Sequence, residues 1–122
     1  MKKAFILFLL LFCACNDDDK TQDPILCTEE ARPGIEVTVK DAEDNMFLVQ
    51  GVTVIVIDNQ YRETLENVSG TNIFIGAYER TGNYTVIANK DNYIQTTSDP
   101  VIVTKDICHV ITKGIEIFLD KK

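Results

Sequence analysis

The chain has 122 residues, 45% of them hydrophobic, with 12 basic against 19 acidic side chains and a formal charge of −7 at pH 7. That length suits a single domain with a buried core. The negative balance excludes nucleic acid as an expected partner, because phosphates need lysine and arginine for neutralisation, and it disfavours a polybasic hold on anionic lipid.

The first fifteen residues read as a leader. Lys2 and Lys3 form a short positive start, and Ala4 to Phe12 is an unbroken apolar run of nine residues. A permanent span needs about 20 apolar residues, so the run suits the hydrophobic region of a signal peptide instead. It ends at Phe12-Cys13-Ala14-Cys15, which resembles a bacterial lipobox with Ala14 at −1 and a lipidated Cys15 at +1. Phe12 departs from the usual Leu at −3, and Cys13 is the poorer acceptor because bulky Phe12 would then stand at −1. The expected organisation is a signal peptide over 1–14, a lipidated cysteine and flexible acidic tether over 15–32, and one domain over 33–122. Without the leader, ten basic residues face nineteen acidic ones, for a charge near −9. Membrane attachment then rests on the acyl chains of Cys15.

Asn16 to Pro24 is polar and acidic, too poor in apolar side chains to join a core. Asp17-Asp18-Asp19, directly behind the lipid site, resembles an export signal to the outer face of the outer membrane. The expected location is the bacterial outer membrane or cell surface, with the periplasmic face as the alternative. Cys27 and Cys108 are the cysteines left over. On a secretory route they can oxidise to a disulfide tying the N-terminal segment to the last strand. Two free buried thiols are the alternative.

From Ile35 onward the pattern is β. Ile35 to Lys40 alternates with period two, as in a half-buried strand, and Asp41 to Asn45 is a polar turn. Val52 to Ile57 is almost wholly β-branched and reads as a central strand. Asp58-Asn59-Gln60 has hairpin chemistry, returning through an edge strand from Tyr61 to Leu65. After Ser69-Gly70 come strands around Ile73-Phe74-Ile75 and, past a turn at Thr81-Gly82-Asn83, at Tyr84 to Ala88. Lys90-Asp91-Asn92 is a further turn. Val101 to Val103 and Cys108 to Leu119 complete seven strands. A bulge near Lys113-Gly114 is expected, because the core-facing parity changes there. The fold class is all-β: a seven-stranded antiparallel Greek-key β-sandwich, transthyretin-like or Ig-like.

Three stretches carry a resemblance. Gly34 to Val39 with Val52 to Asp58 is similar to an opening strand pair. Arg80-Thr81-Gly82-Asn83-Tyr84-Thr85-Val86 followed by Lys90-Asp91-Asn92-Tyr93 is similar to a turn, Tyr-strand and Gly-Tyr corner, with Asn92 in place of the usual Gly. Asp106-Ile107-Cys108-His109-Val110-Ile111-Thr112 is similar to an ending found in bacterial lipoproteins. Together, from Pro33 to Leu119, the chain resembles the carboxypeptidase regulatory-like domains, a transthyretin-like sandwich family. The resemblance implies a non-catalytic accessory or binding module and brings no catalytic residues with it.

The residues themselves offer little catalytic chemistry, and no cofactor is implied. His109 is the only histidine. On a strand it would point away from Cys108, so the two cannot form a local nucleophile–base pair. Asp41, Glu43 and Asp44 are the weak cation candidates, as hard oxygen ligands in one loop, but their spacing is not that of an EF-hand. Neither Ser69 nor Ser98 lies in a Gly-x-Ser-x-Gly elbow. Tyr84 and Tyr93 read as core or corner residues. Tyr61 and Tyr78, beside Arg62 and Arg80, read as an exposed set and are the candidate partner-binding residues. The expected function is a non-enzymatic, lipid-anchored cell-envelope accessory that binds a protein or glycan. A small secreted protease inhibitor, using a rigid loop from Glu66 to Thr71, or a hydrolase-associated regulatory subunit is the alternative.

Overall fold

Strict alternation in Ile35-Glu36-Val37-Thr38-Val39-Lys40-Asp41 makes β1 (Ile35–Asp41), which buries Ile35, Val37, Val39 and Asp41 and leaves the residues between them half-buried. The computed structural model describes residues 26–122. The expected leader, Cys15 and the Asp17–Asp19 run lie outside the described residues. The β-branched run becomes β2 (Thr53–Asp58), an interior strand. It turns at Asn59, whose φ of 57° is the left-handed backbone that Asn tolerates, into β3 (Tyr61–Thr64). Then follow β4 (Glu66–Asn67), β5 (Phe74–Gly76), β6 (Gly82–Asn89), β7 (Thr96–Thr97), β8 (Val101–Val103) and β9 (Lys113–Leu119). Among the described residues there is no helix.

The strands form two sheets. One has the order β4-β5-β1-β9; the other has the order β3-β2-β6-β7, with β8 also pairing β6. The chain crosses between them after β1, β3, β5 and β8. Val54, Val56, Tyr84, Val86 and Ala88 of one sheet pack against Ile35, Val37, Val39, Phe74 and Leu119 of the other, all buried. The fold is therefore the all-β sandwich expected.

Four features differ from the sequence reading. Among the described residues there are nine strands rather than seven, because β4 and β7 are two-residue strands too short to show periodicity. The sandwich is not wholly antiparallel: β9 runs parallel to β1, from Ile35↔Lys113 to Asp41↔Leu119. The predicted turn at Thr81-Gly82-Asn83 is displaced upstream, where Ala77 and Glu79 take φ of 55° and 50°, and Gly82 opens β6. Glycine is needed there for close approach: a Cβ would meet Asp58 Oδ2 at 2.5 Å. The predicted bulge at Lys113-Gly114 is absent, since the β1–β9 register is unbroken. No bulge is needed because Cys108 and Val110 are not part of β9: Val110 bridges Lys105 instead. Asp106 Oδ1 accepts the N–H groups of Cys108 (2.8 Å) and His109 (2.9 Å), which bends the chain out of the ladder.

Cys27 and Cys108 are joined by a disulfide, with their Cα atoms 5.3 Å apart. Cys108 stands in this bend rather than in the last strand. Residues 27–32, assigned to the tether by sequence, are therefore held against the sandwich.

Candidate functional site

Among the described residues, three clusters of charged and aromatic side chains take in most of the candidates. The first spans β3, the end of β2 and the start of β6, with β2 lying between the other two strands. The Arg80 guanidinium stacks 3.8 Å from the centre of the Tyr61 ring and lies 5.5 Å from that of Tyr84. It donates to Asp58 Oδ2 at 3.0 Å and to the Tyr84 hydroxyl at 2.9 Å. Tyr84 is fully buried, and its hydroxyl donates back to the Arg80 carbonyl at 2.9 Å. The Tyr61 hydroxyl donates to the Glu63 carboxylate, which also accepts the Ala77 N–H at 2.8 Å. Burial, and then the adjoining Glu63, push the Tyr61 phenol up to about 12. This cluster braces the displaced turn: Glu63 holds Ala77 in its left-handed conformation while Arg80 ties β6 to β2.

The expected partner-binding set therefore divides. Tyr61 and Arg80 are engaged internally, because a stacked guanidinium gives a tyrosine more than solvent does. Tyr78 is 48% exposed and Arg62 is exposed on the edge strand β3, and both stand outside the brace.

The second cluster contains the cation candidates. Asp41 is not in a loop; it is the buried last residue of β1. Its Oδ1 accepts the N–H groups of Glu43 (2.7 Å) and Asp44 (3.3 Å). Its Oδ2 accepts the Tyr93 hydroxyl at 2.6 Å and faces Lys121 Nζ at 3.3 Å. The Tyr93 hydrogen bond first, and the two backbone N–H groups and Lys121 after it, lower the Asp41 carboxyl to about 2. Lys121 also lies 3.4 Å from Glu43, so its ammonium group pairs with both carboxylates. Among the described residues no three His, Cys, Asp or Glu side chains are grouped to hold a metal ion. Asp41, Glu43 and Asp44 form a knot joining β1, the corner at Tyr93 and the C-terminal residues.

The third cluster went unnoticed in the sequence. His109 is buried. Its Nδ1 lies 2.6 Å from Glu79 Oε2 and its Nε2 lies 2.9 Å from Thr28 Oγ1. Glu79 also accepts the N–H groups of Arg32 (3.0 Å) and Val110 (3.1 Å). The His109 bond and then these amides hold its carboxyl below the usual range. An ionised carboxylate only accepts, so Nδ1 carries a proton. The expectation that His109 stands on a strand back-to-back with Cys108 does not hold, because both lie in the bend. The signal for this cluster was in the cysteines: pairing Cys27 with Cys108 brings Thr28 beside His109.

Hydroxyl, imidazole and carboxylate stand here in the order used for acyl transfer. The surroundings are those of a clamp. The amides of Cys108 and His109 are committed to Asp106, and that of Val110 to Glu79, so none of the three is directed at a developing oxyanion. The cluster fastens the 27–32 segment to the sandwich beside the disulfide.

No protein-family model matches the chain, and no curated protein is significantly similar to it. The inhibitor alternative gains little from geometry. Within Glu66 to Thr71, Glu66 and Asn67 pair with β5. The tip is folded on itself by Thr71 N–H to the Val68 carbonyl (2.9 Å) and Asn67 Nδ2 to the Thr71 carbonyl (3.1 Å). That is a tight turn held by its own hydrogen bonds.

Proposed function

We propose that the chain is a lipid-anchored accessory module of the bacterial cell envelope, tethered by acyl chains on Cys15 and acting by binding an envelope protein or glycan rather than by catalysis. The observation that carries this reading is the Cys27–Cys108 disulfide, because such bridges persist outside the reducing cytosol. The lysine-led apolar leader and its lipobox-like end direct the chain to the same place. The resemblance to carboxypeptidase regulatory-like domains supports a non-catalytic role, and the all-β sandwich suits it. The three clusters of polar side chains support it too, since each is spent on joining segments of the fold.

Growth with an alkyne analogue of palmitate tests the anchor. The wild-type protein is expected to take up label and sediment with membranes, and Cys15→Ser to do neither. Equal labelling of both, or of neither, would contradict the reading.

A further inference from the structure

Four strand edges bound the two sheets, and three of them are blunted. β4 has two residues and β3 has four. The edge formed by β7 and β8 is broken at Ser98-Asp99-Pro100, and proline cannot donate to a ladder. The fourth edge, β9, is seven residues long and without a bulge.

A parallel ladder uses the main chain of alternate residues. Lys113 N–H bonds the Gly34 carbonyl, and the Leu119 carbonyl accepts Ala42 N–H, so the odd-numbered residues of β9 face β1. The N–H and C=O groups of Gly114, Glu116 and Phe118 point the other way, and no described residue hydrogen-bonds to them. Beside this edge a groove of about 440 Å³ separates the sheets, walled by Ile115 and Ile117 on one side and by Asp99 and Val101 on the other. Uncovered edges are templates for another strand.

We propose that this edge receives an extended segment of a protein partner, which adds to the sheet as a strand beside β9. The inference rests on reading the domain as a binding module and names its surface. Three donor–acceptor pairs at every second residue call for a β backbone. Side chains of one parity enter the groove, where Asp99 stands among Ile115, Ile117 and Val101. Those of the other parity lie beside Phe118 and Glu116, whose carboxylate already pairs with Lys40 at 3.0 Å, so the preference for lysine or arginine comes from Asp99 in the groove wall and from the chain's net charge of −7. A second copy of this chain fits poorly, because it brings together two molecules that each carry a net charge of −7.

The probe is a panel of heptapeptides alternating Lys or Arg with Val, Ile or Phe, titrated into the folded domain with backbone amide NMR as readout. At least one peptide is expected to shift Gly114, Glu116 and Phe118 and to slow exchange of their amides about tenfold or more. Its counterpart N-methylated on the pairing residues is expected to lose binding. Glu116→Pro, which removes one outward N–H, should abolish the effect, whereas Glu116→Gln, which keeps it, should bind. If Glu116→Pro unfolds, the N-methylated peptide carries the test alone. Absence of edge shifts with every peptide, binding that survives N-methylation, or a stable dimer occupying the edge would overturn the proposal. Palmitate labelling of Cys15 is independent of all these results, so the anchor and the edge fail separately.

Discussion

Removing the disulfide isolates one quantity that the structure sets. The bridge joins positions 81 apart in sequence. In the chain-entropy treatment a closed loop of that length destabilises the unfolded state by about 4.5 kcal/mol at 25 °C. A domain of this size has only about 5–15 kcal/mol of net stability, so the double variant Cys27→Ser/Cys108→Ser should stand near the threshold of folding. Its melting temperature should fall by roughly 20–35 °C, taking about 4–8 °C per kcal/mol for a domain of this length. Urea unfolding followed by circular dichroism, with oxidised wild type alongside, measures the difference. The native fold should persist in water at low temperature, because the Glu79 bonds to Arg32 and His109 survive the change. A loss smaller than about 1 kcal/mol would refute the reasoning, since the unfolded chain would then gain little freedom from opening the loop.

Other perturbations probe the core, the corner and the knot. Leu119→Ala removes a fully buried side chain at the end of β9 and should cost about 2–5 kcal/mol in the same assay. Asn92 sits at φ 73°. Asn92→Gly should change stability by less than about 0.5 kcal/mol, whereas Asn92→Val should lose roughly 1–2 kcal/mol, as a β-branched residue forced into left-handed backbone. Asp41 has a folded pKa of about 2, below its unfolded value. Its contribution is therefore complete above about pH 4, the unfolded value, and is lost as pH falls through about 2. Tyr93→Phe removes the largest cause of that shift, so the acid limb of a stability–pH profile should flatten. An unchanged limb would show that Asp41 is held by other groups. Gly82→Ala places a Cβ against Asp58 Oδ2 and should destabilise by about 1–3 kcal/mol.

The strands that bury one face by alternation were legible before the structure. Ile35 to Asp41 shows burial at every second residue, and the run at Thr53 to Asp58 carries its β-branched signature wherever it pairs. Asn59 and Asn92 were legible as turns because asparagine tolerates the positive φ they adopt. What stayed hidden depends on distant partners. Nothing in Lys113 to Leu119 records that its neighbour is Ile35 to Asp41 or that the two run parallel. Tyr61 sits beside charged residues in sequence, as an exposed aromatic would, but the guanidinium covering it comes from Arg80. Thr28 and Glu79 converge on His109 from opposite parts of the chain. Asp41 looked like a metal ligand because the carboxylates of Glu43 and Asp44 lie within three residues of it, whereas the Tyr93 and Lys121 that engage it come from far along the chain.

The most direct test of the proposed anchor is the intact mass, under non-reducing conditions, of the protein purified from the cells that make it. The account predicts a chain beginning at Cys15, heavier by its acyl groups, with Cys27 and Cys108 both resistant to alkylation. A polypeptide that retains Met1, carries no lipid and alkylates at both of these cysteines would contradict it.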